Sequence, residues 1–200
     1  MTVVAGNSLK TETALSIDLL GEAARRASVE IWPYCLMPNH VHVVATPADP
    51  DGLRATVAGP PLTVHRLYQR RRRTTGHLWQ GRYGSVAMDE PHFVTALRYI
   101  SLNPVRAGLV ERPEQWPWSS ANAHLAGRRP YRPGCAALER VGDFAAFLGA
   151  DFDDALGYAA LRRAESIGRP VGSNAWLADM EARIGRPLRP AKRGPTSKRF

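Results

Sequence analysis

His40 and His42 open the run His40-Val41-His42-Val43-Val44-Ala45-Thr46, in which one residue separates the two histidines. The run begins with strict alternation and predicts a strand. Residues i and i+2 of a strand project from one face, roughly 7 Å apart. Two imidazoles so placed can converge on one metal ion, while Val41 and Val43 point the other way, into a core. Imidazole suits zinc, manganese and nickel, and tolerates magnesium when oxygens complete the shell. The same pattern also suits two half-buried histidines satisfied by backbone carbonyls. Tyr99 is the second residue of interest. It falls on a helix predicted over 91–102, with Phe93, Leu97 and Ile100 as the apolar stripe. Tyr99 lies about 100° to one side of that stripe, and Asn103, four residues on, shares its face. A tyrosine hydroxyl beside a metal-bound phosphate can act as a nucleophile. A partly exposed tyrosine on an amphipathic helix is the plainer alternative.

Cations surround these groups in the sequence. Arg70, Arg71, Arg72 and Arg73 form a run, and Lys10, Arg66, Arg82, Arg98 and Arg106 add to it, interspersed with Tyr68, Trp79, Tyr83, Trp116 and Trp118. Arginine mixed with aromatic rings is the composition of a single-strand binding surface, where cations follow phosphates and rings stack on bases. A solvated helix face with ordinary core tryptophans is the alternative. The net charge of +9 favours a polyanionic partner.

Several classes are excluded or disfavoured. No glycine-rich loop ending in Gly-Lys-Ser/Thr is present, so no nucleotide cofactor is expected, and there is no Gly-x-Ser-x-Gly elbow. Cys35 and Cys135 are far apart and form neither a disulfide framework nor a zinc knuckle. Cys35 is expected in the core. No stretch of about 18 apolar residues exists and no basic-then-apolar leader is seen, so a cytoplasmic, nucleoid-associated protein without a membrane partner is expected.

The elements that must position these residues follow from periodicity. Residues 11–27 predict an amphipathic helix ending in arginines. Residues 28–37 and 40–46 predict a hairpin around the Pro38-Asn39 turn. Residues 51–75 predict a helix interrupted at Gly59-Pro60-Pro61, and 77–89 a loop leading into a short strand. The helix over 91–102 should stop at Asn103-Pro104, because the residue before a proline is pushed from the α region. A short helix is expected over 119–125, two short helices within 136–164, and another over 173–184. This order predicts an α+β fold with an antiparallel sheet and helices on one face. Residues 1–126 form the expected main domain. Residues 127–200 form a helical extension with a basic, proline-containing tail, expected to be disordered when free.

Three blocks together resemble one family. They are Tyr34-Cys35-Leu36-Met37-Pro38-Asn39-His40-Val41-His42-Val43-Val44, Leu78-Trp79-Gln80-Gly81-Arg82-Tyr83, and Arg98-Tyr99-Ile100-Ser101-Leu102-Asn103-Pro104-Val105-Arg106-Ala107-Gly108-Leu109-Val110; Trp116-Pro117-Trp118-Ser119-Ser120 also fits. They resemble the IS200-like tyrosine transposases with an HUH motif, most closely the branch associated with repetitive extragenic palindromes. The resemblance covers roughly residues 12–126. It implies a ferredoxin-like fold, a magnesium or manganese ion, and single-stranded or hairpin DNA as substrate, with a monomer or homodimer as the assembly. It implies His40 and His42 as metal ligands, Asn103 as the third, and Tyr99 as the nucleophile that forms a 5′-phosphotyrosine. Arg70 to Arg73, Arg82, Tyr83, Arg98 and Arg106 are then the expected DNA contacts. A hairpin-binding module of the same fold with weakened catalysis is the alternative. The family's longer first strand is missing here; residues 2–5, with Val3-Val4 of high β-propensity before a Gly6-Asn7 turn signal, are expected to stand in for it.

Overall fold

The computed structural model describes residues 2–5, 10–57, 83–128, 137–150 and 154–189. Its first strand, β1, spans Thr2–Ala5 and is followed by α1, Lys10–Arg26. The hairpin strands β2, Val29–Leu36, and β3, His40–Pro47, come next, and β4 is only Gly84–Ser85. The four strands lie in the order β2-β3-β1-β4, and every neighbouring pair is antiparallel. This is the expected α+β fold with a ferredoxin-like antiparallel sheet. β1 fills the slot between β3 and β4, with Val3 opposite His42 and Ala5 opposite His40, so the short first strand does pair on both sides. An unfilled slot would leave backbone donors and acceptors of both neighbours orphaned, at about 1–3 kcal/mol for each buried group.

A bulge sorts the side chains of β2. Between Ile31 and Tyr34 the pairing with β3 slips by one residue. Side chains alternate with period two, so one extra residue switches the parity of the faces. Val29 and Ile31 before the bulge, and Tyr34 and Leu36 after it, therefore pack on one side with Val43 and with Leu20 and Ala24 of α1. Trp32, Cys35, Met37 and Val44 pack on the other. Cys35 is fully buried, as expected, and desolvation pushes its thiol up to about 12.

Helix α2, Glu90–Arg106, covers that second face through Phe93, Ala96, Leu97 and Ile100. The helices are thus not confined to one face, as the sequence had suggested: α1 covers one side and α2 the other. Asp89 caps α2, accepting from the His92 amide at 3.2 Å, and Pro91 occupies the first turn, where a missing N–H is harmless. The expected stop at Asn103 does not occur. Pro104 lies inside the helix, completely buried, and the Ala107 amide still donates to the Asn103 carbonyl at 2.9 Å. A proline here removes one hydrogen bond near the end of the helix, and its buried ring compensates by packing.

The outer edge of β2 is covered by residues 118–120. The Leu36 amide donates to the Trp118 carbonyl at 2.9 Å, and the Ser120 amide to the Tyr34 carbonyl at 3.0 Å. Trp116 Nε1 donates to the Leu36 carbonyl at 2.9 Å. The Trp116 indole N–H and the Trp118 carbonyl therefore serve the sheet edge.

Among the described residues five further α-helices follow: α3, Ala121–Leu125; α4, Ala137–Val141; α5, Phe144–Gly149; α6, Asp154–Ile167; and α7, Asn174–Ile184. The described residues of 136–164 hold three helices, the last running on to Ile167, where two were expected. Gly142 has φ of 65°, which ends α4, and Asp143 accepts from the Ala145 and Ala146 amides to start α5. Phe144, Leu148, Tyr158 and Leu161 belong to the same core cluster as Trp32, Phe93 and Tyr99. The extension after residue 126 thus shares one core with the sheet. Among the described residues, no helix is long and apolar enough to cross a membrane.

Candidate metal and nucleophile site

β3 begins at His40, immediately after the turn, and alternation carries His40 and His42 to the face covered by α2. Their rings meet edge to face, with centroids 4.6 Å apart at 86°. Their Nε2 atoms are 2.9 Å apart. Nδ1 of His40 lies 2.6 Å from the Asn39 side-chain oxygen, which can only accept. In neutral His40 that bond places the proton on Nδ1 and leaves the Nε2 lone pair facing His42. An outer partner of this kind commonly fixes the tautomer of a metal-binding histidine. Both imidazoles are held neutral. Burial lowers the pKa of His40, and burial, followed by the charges of His40 and Arg106, takes His42 down to about 3.

The donor set fits a divalent ion. Two neighbouring ligands of an octahedral ion at about 2.1 Å are about 3 Å apart, close to the separation of the two Nε2 atoms. A third donor is available on α2. Asn103 is buried and its Nδ2 has no hydrogen-bond partner among the described residues. The orphaned atom is the amide nitrogen, a donor that cannot hold a cation; the oxygen of the same group is the hard ligand that an ion would take. No group of three His, Cys, Asp or Glu residues suited to a metal occurs among the described residues, so an ion here would have to take its further donors from Asn103, water or a ligand.

Tyr99 comes to this same place from α2. It is 8% exposed, and its ring stands edge-on to His42, with centroids 5.5 Å apart at 81°. Because α2 continues through Pro104, Tyr99, Asn103 and Arg106 fall at i, i+4 and i+7 of one helix and share a stripe. The Arg106 guanidinium lies over the Tyr99 ring, 4.9 Å from its centroid. One cation, one phenol and two neutral imidazoles thus gather between β3 and the C-terminal half of α2, and the Asn103 amide lies on the same helix stripe as Tyr99.

Of the residues expected to meet nucleic acid, Arg106 lies at this site. Tyr83 is half-buried just before β4. Arg70, Arg71, Arg72, Arg73 and Arg82 lie outside the described residues. Arg98 is placed otherwise. It is 7% exposed, and its guanidinium donates to the Phe147 carbonyl and, at 2.7 Å, to the Ala150 carbonyl. It ties α5 to α2 and has no surface with which to hold a phosphate. Carbonyls at a helix C-terminus have no intrahelical donors, so a guanidinium is a fitting cap.

Tyr158 was not singled out from the sequence. It is completely buried, with its ring centroid 4.9 Å from that of Tyr99 at 68°. The Arg106 guanidinium also lies over the Tyr158 ring, at 4.6 Å. The available signal was the stripe Tyr158, Leu161, Ala164, which marks a buried face but not what it packs against.

No family model matches the chain, and no curated protein matches it. A solved structure of a REP-associated tyrosine transposase bound to a REP hairpin is similar to 66% of this chain and 83% of that one, with a TM-score of 0.48 and 18% sequence identity. A likeness of that depth says nothing about chemistry, which rests on the side chains themselves.

Proposed function

We propose that this chain is a metal-dependent enzyme that cleaves and rejoins single-stranded DNA at hairpins, with Tyr99 as nucleophile. The observation that supports it most is the convergence of the His40 and His42 Nε2 atoms, 2.9 Å apart, on a face where the Tyr99 ring already touches His42. The resemblance of the three sequence blocks to HUH tyrosine transposases points the same way.

His40, His42 and Asn103 would hold magnesium or manganese, which when bound supplies a Lewis acid for a non-bridging phosphate oxygen. With Nδ1 of His40 protonated, its Nε2 lone pair is available; His42, neutral as well, would present its own Nε2 lone pair once its proton sits on Nδ1. The Tyr99 hydroxyl oxygen forms a bond to phosphorus as the bond to the 3′-oxygen breaks. The phenol loses its proton and the departing 3′-oxygen gains one. The products are a 5′-phosphotyrosine and a free 3′-hydroxyl, and attack by another 3′-hydroxyl reverses the step. The phosphodiester energy is kept in the covalent bond, so no nucleotide cofactor is needed. Arg106 lies against the Tyr99 ring, where its charge would draw in the phosphate. Arg70 to Arg73, Arg82 and Tyr83 are proposed to follow the strand beyond the cleavage point, and the protein acts in the cytoplasm on chromosomal DNA.

The test uses labelled hairpin oligonucleotides with manganese, run on a denaturing gel. A covalent protein–DNA adduct that EDTA prevents is expected. Hairpin binding without any adduct, over a range of hairpins and ions, would leave only a DNA-binding module.

A further inference from the structure

We propose that Tyr158 is a positioning residue of the tyrosine site: its ring, stacked against both Tyr99 and the Arg106 guanidinium, holds the nucleophile, so that the C-terminal helices are part of the active site. The proposal rests on the reading of Tyr99 as nucleophile.

The contact is made by two aromatic rings and one shared cation. Tyr99 stands between His42 on one side and Tyr158 on the other, edge to face with each, at 5.5 and 4.9 Å. Edge-to-face pairs depend on ring electrostatics, which an aliphatic side chain cannot reproduce. Arg106 lies 4.9 Å from the Tyr99 centroid and 4.6 Å from that of Tyr158. A planar guanidinium can serve two rings together, whereas a lysine ammonium is a point charge. Leucine would fill a core position as well as tyrosine does, yet the buried stripe of α6 places a tyrosine where it meets Tyr99 and leucine one turn on, at Leu161.

The extension that carries Tyr158 is fastened to α2 along its length. At the start of α2, the Asp89 carboxylate caps the helix and also accepts from the Ser173 amide at 2.7 Å. Beside it, the Asp89 amide donates to the Val171 carbonyl and the Val171 amide to the Ala87 carbonyl, at 3.2 and 2.9 Å. In the middle, Arg98 holds the end of α5. Near α2's start, Arg140 of α4 pairs with Glu90 and lies over the Trp32 ring at 4.5 Å. These fastenings hold the segments before and after α6, and Tyr158 of α6 passes that constraint to Tyr99. A misplacement of about 1 Å of a reacting group can lower a rate about 100-fold without altering affinity.

The experiment compares Tyr158→Leu, Tyr158→Phe and Leu161→Ala in the full chain. It measures the single-turnover rate of adduct formation and hairpin affinity, and by NMR the nuclear Overhauser contacts between the Tyr99 and His42 rings in the free protein. Tyr158→Leu should slow adduct formation by about 10- to 100-fold with hairpin affinity unchanged, and lose the Tyr99–His42 contact. Tyr158→Phe should restore both. Leu161→Ala, buried on the same helix, should lower thermal stability but keep the rate and the contact. Wild-type rate and an intact Tyr99–His42 contact in Tyr158→Leu would overturn the proposal. If the wild type forms no adduct, the reading of Tyr99 as nucleophile fails, and the ring contacts alone decide the positioning. If Tyr158→Leu does not fold, the wild-type spectrum decides: Tyr99–Tyr158 ring contacts support the proposal, and their absence overturns it.

Discussion

Helix α2 is enclosed on two sides by parts of the chain that differ in kind. On one side lies the β2–β3 hairpin, two strands adjacent in sequence and joined by the tight turn at Pro38-Asn39. On the other lie α5 and α6, some fifty residues further along than α2. The hairpin supplies polar groups, namely the two imidazoles, of which His42 meets Tyr99. The extension supplies a ring, a helix end that Arg98 caps, and apolar bulk. The difference assigns chemistry to the sheet side and rigidity to the helical side, and each can be broken separately.

The largest effect is expected on the sheet side. His42→Ala removes one imidazole from the pair and should lower adduct formation by on the order of 100-fold or more, since a metal site contributes several kcal/mol to such a step. The protein should remain folded, because the alanine stays within a paired strand. Single-turnover assays alongside a urea melt check both halves. A variant that melts as the wild type and cleaves as well as it would remove the imidazole pair from the mechanism.

On the extension side the expected effect is on stability. Arg98→Ala leaves the Phe147 and Ala150 carbonyls without their donor. Hydrogen bonds from a charged group contribute about 1.5–3 kcal/mol each, so a loss of roughly 3–6 kcal/mol is expected in urea unfolding. The salt dependence of DNA binding should stay unchanged. A phosphate contact would instead reduce the slope by about 0.7 for single-stranded DNA, and that result would return Arg98 to the binding surface.

These two sides were not equally legible in the sequence. The hairpin was legible because alternation, turn chemistry and β-propensity act over a few residues. His40 and His42 share a face as spacing alone requires, and Val41 and Val43 face α1. The pairing of β1 followed from the ferredoxin-like order once the hairpin was placed. The bulge near Pro33 was not visible, since nothing local marks which residue of β2 is the extra one. The far side of α2 was misjudged for a physical reason. Its apolar stripe, Phe93, Leu97 and Ile100, marks only one face, yet Ala96 to Ser101 are all buried. The remaining positions are Arg98, Tyr99 and Ser101, polar groups that periodicity assigns to solvent. Long-range contacts cover two of them: the extension takes Arg98, and His42 and Tyr158 take Tyr99. Pro104 misled in the same way: its local rule ends a helix, and burial of its ring let one more turn form, which brought Arg106 onto the stripe of Tyr99.

A smaller effect on the same side concerns pH. His124 of α3 is 1% exposed and its ring meets Phe144 of α5 at 5.1 Å. Burial takes its pKa down to about 4. The unfolded chain, with a histidine near 6.5, binds the proton first as pH falls. The neutral ring's contribution is therefore intact above pH 6.5 and is lost as pH falls toward 4, by at most about 3 kcal/mol. His124→Leu should flatten this part of the stability–pH curve relative to the wild type. Curves that stay parallel would mean that His124 titrates alike in the folded and unfolded chain.

The central claim is that the hydroxyl of Tyr99 becomes bonded to DNA. Tyr99→Phe removes that one oxygen and keeps the ring that meets His42, Tyr158 and Arg106. The decisive measurement is the yield of covalent adduct from a labelled hairpin oligonucleotide with manganese, taken beside hairpin affinity for the same preparation. The account predicts no adduct and near wild-type binding for Tyr99→Phe. An undiminished adduct would contradict it, and would move the search for the nucleophile to Tyr83.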